Sequence, residues 1–251
     1  EDFDALNREE LADFYKNYYL NGKCIIFTAG KLPADLPQLL NTYFGQLSLS
    51  KPEKAGVPEH IIKPSAEVGK SIRVNNDPDG VQGAIRIGRL FPNRHHPDFM
   101  KMQVLNNLYG GFFGSRLMSN IREEKGYTYG IYSYLQNHIQ QSALIISTEA
   151  GREVCDPTIK EVYQEMSTLR EELVDDDELS LVRNYMIGTI LADLDGPFHI
   201  IARWKNIVLN QLEEDYFYKS IHTIKTISAS ELRDLANAYF DPETFYELVV
   251  I

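Results

Sequence analysis

The sequence predicts an α+β fold in which helices pack on one side of an antiparallel sheet. Residues 127–135 and 141–149 alternate in side-chain character with a period of two, and the short connection through Asn137 and His138 indicates a hairpin. Longer stretches with a helical spacing of apolar residues separate the strands. Strand pairs interrupted by long helices are typical of an α+β layered domain.

An internal repeat is the second observation that predicts the architecture. Residues 6–19 resemble residues 227–240, at an offset of 240 − 19 = 221 residues. An offset of this length indicates a duplicated domain, and two unrelated amphipathic helices with similar caps are the alternative. Each copy opens with a predicted capping box, which pairs Asn7 with Glu10 in the first copy and Ser228 with Glu231 in the second.

The duplication divides the chain into three parts. Residues 1–47, with a predicted strand at 24–29 and a helix at 36–44, are the expected tail of a preceding, homologous half-domain. Residues 48–67 contain prolines and no periodicity, which predicts a linker. Residues 68–251 are then a complete second half-domain, and the chain runs continuously from one copy into the next.

Composition narrows the classes of function. A formal net charge of -11 argues against nucleic acid and against an anionic membrane as the main partner, because both need a basic patch. The sequence has no apolar run near the roughly 20 residues that span a bilayer. Its only cysteines, Cys24 and Cys155, are too few for a disulfide framework, and we expect two buried thiols.

The stretch from residue 105 to residue 135 predicts a helix, a glycine turn, a second helix and a strand. Gly110 and Gly111 should end the first helix in a left-handed conformation, and Ser115 should cap the second helix, which is about three turns long. Strict alternation in the strand that follows places Tyr129 on the same face as Ile131. The first helix is indicated by apolar residues at Phe99, Met102, Leu105 and Tyr109.

The remaining helices have start signals of their own. Pro157 lies where a helix should begin, and Asp175 with Glu178 predicts the cap of another. Further helices are expected around Trp204, over residues 216–224 and in the second copy of the repeat.

Familiar catalytic motifs are missing from the sequence. None of the six histidines has a zinc-binding helical spacing, and adjacent His95 and His96 lie in a predicted loop, where we expect them to be solvated. The glycines at 110, 111 and 114 lack the preceding strand and the lysine of a phosphate loop. A nucleophile elbow is also absent, although a dispersed triad stays open.

Two runs of the central stretch carry a resemblance. Leu-Asn-x-Leu-x-Gly-Gly-x-x-x-Ser-Arg-Leu at 105–117 and Ile-Arg-Glu-x-Lys-Gly-Tyr-x-Tyr at 121–129 resemble the signature of the C-terminal half of pitrilysin/insulinase zinc peptidases. This family includes the mitochondrial processing peptidases, and the resemblance implies a metallopeptidase half-domain. It also implies two homologous halves that close around a peptide, with a His-x-x-Glu-His zinc motif and a distal glutamate in the first half.

The same resemblance assigns roles to two side chains. In that family the second half supplies an arginine and a tyrosine seven residues apart, and Arg122 and Tyr129 have this spacing, since 129 − 122 = 7. Tyr129 would donate to the oxyanion that forms during peptide hydrolysis, and Arg122 would orient the backbone of the bound peptide. From the residues alone, Arg122 is a helix-terminal cation and Tyr129 a half-buried strand aromatic. Ser115 and Arg116 are expected to stabilise the turn.

We therefore expect the substrate-binding C-terminal half of a zinc endopeptidase. This half should hold no zinc ligand and be inactive alone, with zinc bound by the missing N-terminal half. The expected partners are peptide substrates and that homologous half, without nucleic acid or membrane, and a homodimer stays open. A non-catalytic peptide-binding or scaffold member of the family is the alternative, and a His-x-x-Glu-His motif about two hundred residues upstream would decide between them.

Overall fold

The computed structural model describes residue 3 and residues 6–20, 24–47, 70–139 and 141–251. The predicted linker, residues 48–67, lies outside these ranges. The chain divides into two compact units, Glu1–Ile61 with Leu194–Lys205 and Ile62–Asp193 with Asn206–Ile251.

In the first unit, the start of the repeat forms the helix that the sequence predicts. Helix α1 (Arg8–Phe14) continues as a π-helical turn over Tyr15–Tyr19, and helix α2 covers Leu36–Phe44. The Asn7 side chain caps α1, because its Oδ1 accepts the backbone N–H groups of Glu9 and Glu10, both at 3.0 Å. The predicted helices at both positions are confirmed.

The strand predicted at residues 24–29 is wrong in the described structure, where these residues lie in irregular backbone. The equivalent segment of the second copy does form a strand, because two neighbouring strands pair with it. A strand needs such a partner to satisfy its backbone. Cys24, expected to be buried, is consequently exposed, whereas Cys155 is buried as expected.

The second unit contains a five-stranded sheet with the order β1-β5-β2-β4-β3. All neighbouring pairs are antiparallel except β1 and β5, which run parallel at one edge. The predicted hairpin of β3 and β4 is confirmed, with Asn137 opposite Ser142 at its closed end. The strands are β1 (Ser71–Val74), β2 (Gln82–Phe91), β3 (Thr128–Asn137), β4 (Ser142–Gly151) and β5 (Tyr246–Val250).

The helices follow the predicted order. Most begin within a few residues of their sequence signals, and α4 is π-helical throughout. Their bounds are α3 (Phe99–Asn106, extended by a π-helical turn over Asn107–Gly111), α4 (Met118–Glu124), α5 (Cys155–Glu171), α6 (Asp176–Ala192), α7 (Pro197–Leu209), α8 (Tyr216–Thr226) and α9 (Ala229–Tyr239).

The two faces of the sheet differ in burial. On the face toward the helices, alternate residues of β2 and β4, such as Ile85 and Ile146, are almost completely buried in the hydrophobic core. On the opposite face Arg86 is half-buried, and Tyr132 and Glu149 are exposed. The predicted α+β fold with helices on one side of the sheet is therefore confirmed, and we call the opposite side the open face.

Helix α3 approaches strand β3 closely at Gly110. A Cβ atom at this position would lie 2.7 Å from Ser133 Oγ and 2.8 Å from Leu117 Cδ1. The predicted left-handed conformation of Gly110 and Gly111 is wrong, since the glycine with positive φ in this stretch is Gly126, at 64°. Gly110 is needed for close packing and not for its backbone angles.

A buried polar pair fixes the same contact. Asn106 Nδ2 donates to the Ser133 carbonyl oxygen at 3.1 Å, and Ser133 Oγ donates to Asn106 Oδ1 at 2.9 Å. Both residues are buried, and each supplies the polar partners that the other needs. The Leu-Asn element of the motif is thus a link between α3 and β3.

The turn between α3 and α4 is stabilised by Arg116 and not by a cap from Ser115. Ser115 Oγ is buried and has no hydrogen-bond partner among the described residues, so its predicted capping role is wrong. Arg116 donates through Nε and Nη2 to the two carboxylate oxygens of Glu178, at 2.7 and 2.8 Å. Burial alone would lower the pKa of Arg116, but the bidentate Glu178 carboxylate raises it. Arg116 therefore ties the start of α4 to α6.

The cap of α9 forms as predicted and is linked to α3. The Ser228 and Glu231 side chains exchange hydrogen bonds with each other's backbone N–H groups, at 3.2 and 3.0 Å. Lys101 Nζ also donates to Glu231 Oε1 at 2.8 Å. The Lys101 bond, with those from Ser228, lowers the pKa of Glu231 to about 2.

The close approach at Gly110 gives a first prediction. Gly110→Ala should lower the free energy of unfolding by about 1 to 3 kcal/mol, because the added methyl group overlaps atoms of Ser133 and Leu117. Gly188→Ala is the matched control within helix α6, where nothing lies within 4 Å of the added carbon. The control should raise the same free energy by up to about 1 kcal/mol in urea denaturation. Equal effects of the two substitutions would contradict the packing role of Gly110.

The Glu231 carboxylate gives a prediction on pH dependence. Since its folded pKa is lowered to about 2, its charge stabilises the fold above the unfolded pKa near 4.5, and this stabilisation is lost as the pH falls toward 2. Glu231→Gln keeps a capping side chain but removes the charge facing Lys101. Unfolding measured between pH 2 and 7 should show a loss of about 0.5 to 1 kcal/mol at pH 7 that disappears at the acid end. Exposed Glu214→Gln should show no such trend.

Candidate functional site

The corner between α4 and β3 positions both predicted site residues. Ile121 is buried, which places the next residue, Arg122, toward the outside of the helix. Tyr127 N–H donates to the Ile121 carbonyl oxygen at 3.0 Å, and Gly126 makes the turn with a φ of 64°. A left-handed residue at this point favours glycine. The chain therefore enters β3 only a few residues after Arg122.

Strand β3 has a bulge at Tyr129 and Gly130. Thr128 pairs with Ala150 and Ile131 pairs with Thr148, so three steps along β3 oppose two steps along β4. The predicted alternation places Tyr129 on the same face as Ile131, and this is wrong. Because of the extra residue the Tyr129 side chain is 92% exposed, while Ile131 remains buried.

The structure brings Arg122 and Tyr129 together. Arg122 Cζ lies 5.7 Å from the centroid of the Tyr129 ring and 4.6 Å from the centroid of the Phe113 ring. Arg122 Nη1 is also 3.7 Å from Glu123 Oε1. Both ring distances are in the range of cation–π contacts. The guanidinium thus lies next to two exposed aromatic rings, and Phe113 is a member that the sequence reasoning missed.

An open cavity of about 490 Å³ adjoins Tyr129 on the open face of the sheet, and we call it the open-face groove. Its wall includes Tyr132 and the ion pair of Arg86 with Glu149, whose nearest charged atoms are 4.0 Å apart. Arg86 Nη1 is held by the carbonyl oxygens of Ile85 and Thr148, at 2.8 and 3.0 Å. The groove therefore has a fixed cation, a carboxylate and aromatic surfaces.

Only part of this groove could be predicted from the sequence. Arg86 lies between Ile85 and Ile87 in the strand pattern, so its position on the opposite face could have been inferred from alternation. Its neighbour Glu149 comes from a different strand, and only the register of β2 against β4 places the two together. Register is not visible in a local pattern.

Histidine and metal ligands do not contribute to this site. His95 is exposed with Nε2 2.9 Å from the Asn210 carbonyl oxygen, and half-buried His96 accepts the Asp98 N–H through Nδ1 at 3.2 Å. Within the part of the chain that the structure describes, no group of three His, Cys, Asp or Glu side chains could hold a metal ion. The same part has no helix of the length and apolarity needed to cross a membrane.

The arrangement offers hydrogen-bond donors at an exposed corner of the second unit. A phenol hydroxyl that is free to meet solvent can donate to a carbonyl oxygen, and a guanidinium beside it offers further donors. Tyr129 lines a groove formed by residues of the three strands β2, β3 and β4, and Arg122 lies against the Tyr129 ring. Such a site provides donors and surface but, in the residues described, no metal ligands.

Comparisons with known proteins identify the family of this chain. The family model described as "Peptidase M16 inactive domain" matches residues 5–186. The protein named zinc protease YmxG of Bacillus subtilis is 24% identical over 247 residues, which are 98% of this chain and 58% of that protein. The chain thus spans little more than half the length of this relative.

Solved structures share the fold. A protease from Helicobacter pylori superposes with a TM-score of 0.79 at 14% identity, covering 100% of this chain and 60% of the other. The peptidase M16 inactive domain from Pseudomonas fluorescens has a TM-score of 0.62 at 20% identity, covering 72% of this chain and 42% of the other. With a family model that matches most of its length, this chain belongs to the peptidase M16 family, as an inactive domain of the kind found in zinc proteases.

Proposed function

We propose that this chain is the C-terminal, substrate-binding half of a zinc-dependent endopeptidase and supplies one wall of its active site. The observation that carries the proposal is the contact of Arg122 with Tyr129 beside the open-face groove. Neither side chain packs in the hydrophobic core, since Tyr129 is exposed and Arg122 packs on exposed rings. A purely structural role would leave this exposure unexplained.

Tyr129 is the proposed oxyanion donor. Hydrolysis of a peptide develops negative charge on the scissile carbonyl oxygen, and an aligned hydroxyl stabilises that charge by about 2 to 4 kcal/mol. The exposed Tyr129 hydroxyl can meet such an oxygen without any change in the core. The proton stays on the tyrosine, so the hydroxyl acts as a hydrogen-bond donor throughout.

Arg122 is the proposed anchor for the substrate backbone. Its guanidinium offers five donors, which are more than its ring contacts with Phe113 and Tyr129 and the nearby Glu123 carboxylate use. Carbonyl oxygens of an extended peptide in the groove would accept from the remaining donors. Arg122 therefore fixes the peptide while Tyr129 meets the reacting carbonyl.

The metal of the family does not fit the described residues of this chain, which bring no three ligand side chains together. We infer that zinc is held by a homologous half with a His-x-x-Glu-His motif, where it would activate water. The residues of this chain would bind and orient the peptide, and this half alone would not hydrolyse it.

The internal repeat supports a homologous half as the partner. Leu232 and Leu235 of α9, and Phe240 directly after it, are buried against the rest of the second unit. The residues at the same repeat positions in the first unit, Leu11 and Phe14 among them, are exposed. The same apolar face needs the same kind of cover, which we propose is the remainder of a first half-domain.

Replacement of Tyr129 tests the proposed role directly. In the full-length protein that contains this chain, Tyr129→Phe should lower kcat for peptide hydrolysis by about tenfold or more, because tenfold corresponds to only about 1.4 kcal/mol. Tyr134→Phe is the matched control, since Tyr134 lies on the same strand and is also exposed. Steady-state assays with a quenched fluorescent peptide measure both variants.

The outcomes separate the two candidate functions. A loss well below tenfold for Tyr129→Phe, or an equal loss for Tyr134→Phe, would remove the oxyanion role. An intact full-length protein without peptidase activity, and without a His-x-x-Glu-His motif upstream, would favour the scaffold function.

Arg122 should affect binding more than turnover. Arg122→Lys keeps the charge but loses the planar donor edge and the stacking on Phe113. We expect KM to rise by about threefold to tenfold with a smaller change in kcat, as for a group that binds substrate and transition state alike. The same peptide assay measures this, and an unchanged KM with a large fall in kcat would argue against the anchoring role.

A further inference from the structure

We propose that Thr128 and Thr148 are positioning residues, whose hydroxyl groups hold the β3 bulge that presents Tyr129 beside the open-face groove. This inference rests on the proposed role of Tyr129. It starts from the bulge, because an extra residue in a strand leaves backbone groups outside the regular ladder.

The two threonine hydroxyls form hydrogen bonds with those backbone groups at Gly130. Gly130 N–H donates to Thr128 Oγ1 at 3.1 Å, and the Gly130 carbonyl oxygen accepts from Thr148 Oγ1 at 2.9 Å. Both polar groups of Gly130 are therefore satisfied by side chains. The bulge is a specified feature with its own partners and not a local irregularity.

Each threonine hydroxyl in this network has to donate only one hydrogen bond. A hydroxyl has one proton to donate. Thr148 Oγ1 lies 2.9 Å from both the Gly130 carbonyl oxygen and Thr128 Oγ1, and we assign its proton to the carbonyl oxygen, which has no proton of its own. Thr128 gives its proton to the Glu149 carbonyl oxygen at 2.6 Å, which leaves its own oxygen free to accept from Gly130. Thr148 is only 4% exposed, so its hydroxyl would be costly to bury without this partner.

The position of Tyr129 depends on this backbone network because its side chain makes few packing contacts. It lies between two residues that the network fixes, Thr128 and Gly130. Its ring is 92% exposed and contacts Arg122, a flexible side chain. The direction of the Tyr129 hydroxyl is thus set mainly by the backbone, and a small displacement at a reacting group is costly to the rate.

The test replaces the buried hydroxyl by a methyl group of the same shape. In the full-length protein, Thr148→Val should lower kcat by on the order of tenfold to a hundredfold, with KM changed by less than about threefold. Thr148→Ser keeps the hydroxyl and should restore most of kcat. The matched control is Thr158→Val, because Thr158 is also buried and its hydroxyl donates locally, to the carbonyl oxygen of Val154 just before α5, at 2.7 Å.

Turnover of Thr148→Val at the wild-type level would overturn the inference if Tyr129→Phe is slow, and so would a Thr148→Ser variant as slow as Thr148→Val. A Tyr129→Phe variant with wild-type turnover would instead remove the proposed function, and the positioning role with it.

A second readout needs no activity. Hydrogen exchange at the Gly130 amide, followed by NMR, should be faster by tenfold or more in Thr128→Val, because its acceptor is lost. Unchanged exchange at Gly130 would show that the threonines do not hold the bulge.

Discussion

The contact between helix α3 and strand β3 is the constraint on which the rest of the second unit depends. Gly110 allows the helix to lie against Ser133 without a side chain between them, and the Asn106–Ser133 hydrogen bonds fix the helix along the strand. The chain from α3 through α4 returns to this same strand, so the contact closes a loop of three elements. The corner that carries Arg122 and Tyr129 is inside that loop, and its position follows from packing that involves neither residue.

The two faces of the sheet place different constraints on their side chains. The helix side holds apolar residues that are almost completely buried, where a polar atom needs a dedicated partner. The open face tolerates Arg86, Glu149 and tyrosine rings at little cost, because solvent satisfies them. The bulge occurs in β3, an edge strand with a single neighbour, where an extra residue disturbs one ladder instead of two.

Much of the fold followed from local sequence signals. The β3–β4 hairpin and the caps at Asp175 and Ser228 formed as predicted, because each depends on residues a few positions apart. The predictions that were wrong at Ser115 and Tyr129 concern residues whose positions depend on tertiary contacts. Ser115 has the residue type of a cap, but the structure buries its hydroxyl, and the bulge at Tyr129 depends on Thr148 from the neighbouring strand. Alternation carries no information on register or on bulges, so it placed Tyr129 on the wrong face of the strand.

The internal repeat bears on the proposed pairing of this chain with a homologous half. Two copies of one helix, with caps at Asn7 and Ser228, meet different surroundings: in the second copy the apolar face is covered, and in the first it is exposed. Burial of an apolar face is the main source of helix stability in proteins, so the first copy requires a surface like the one that the second unit gives to α9. Under the proposed function, this chain supplies one wall of a binding site, and a second, homologous surface would close the chamber. Arg122 and Tyr129 would then act on a peptide held between two related walls, each contributing the groups that the other lacks.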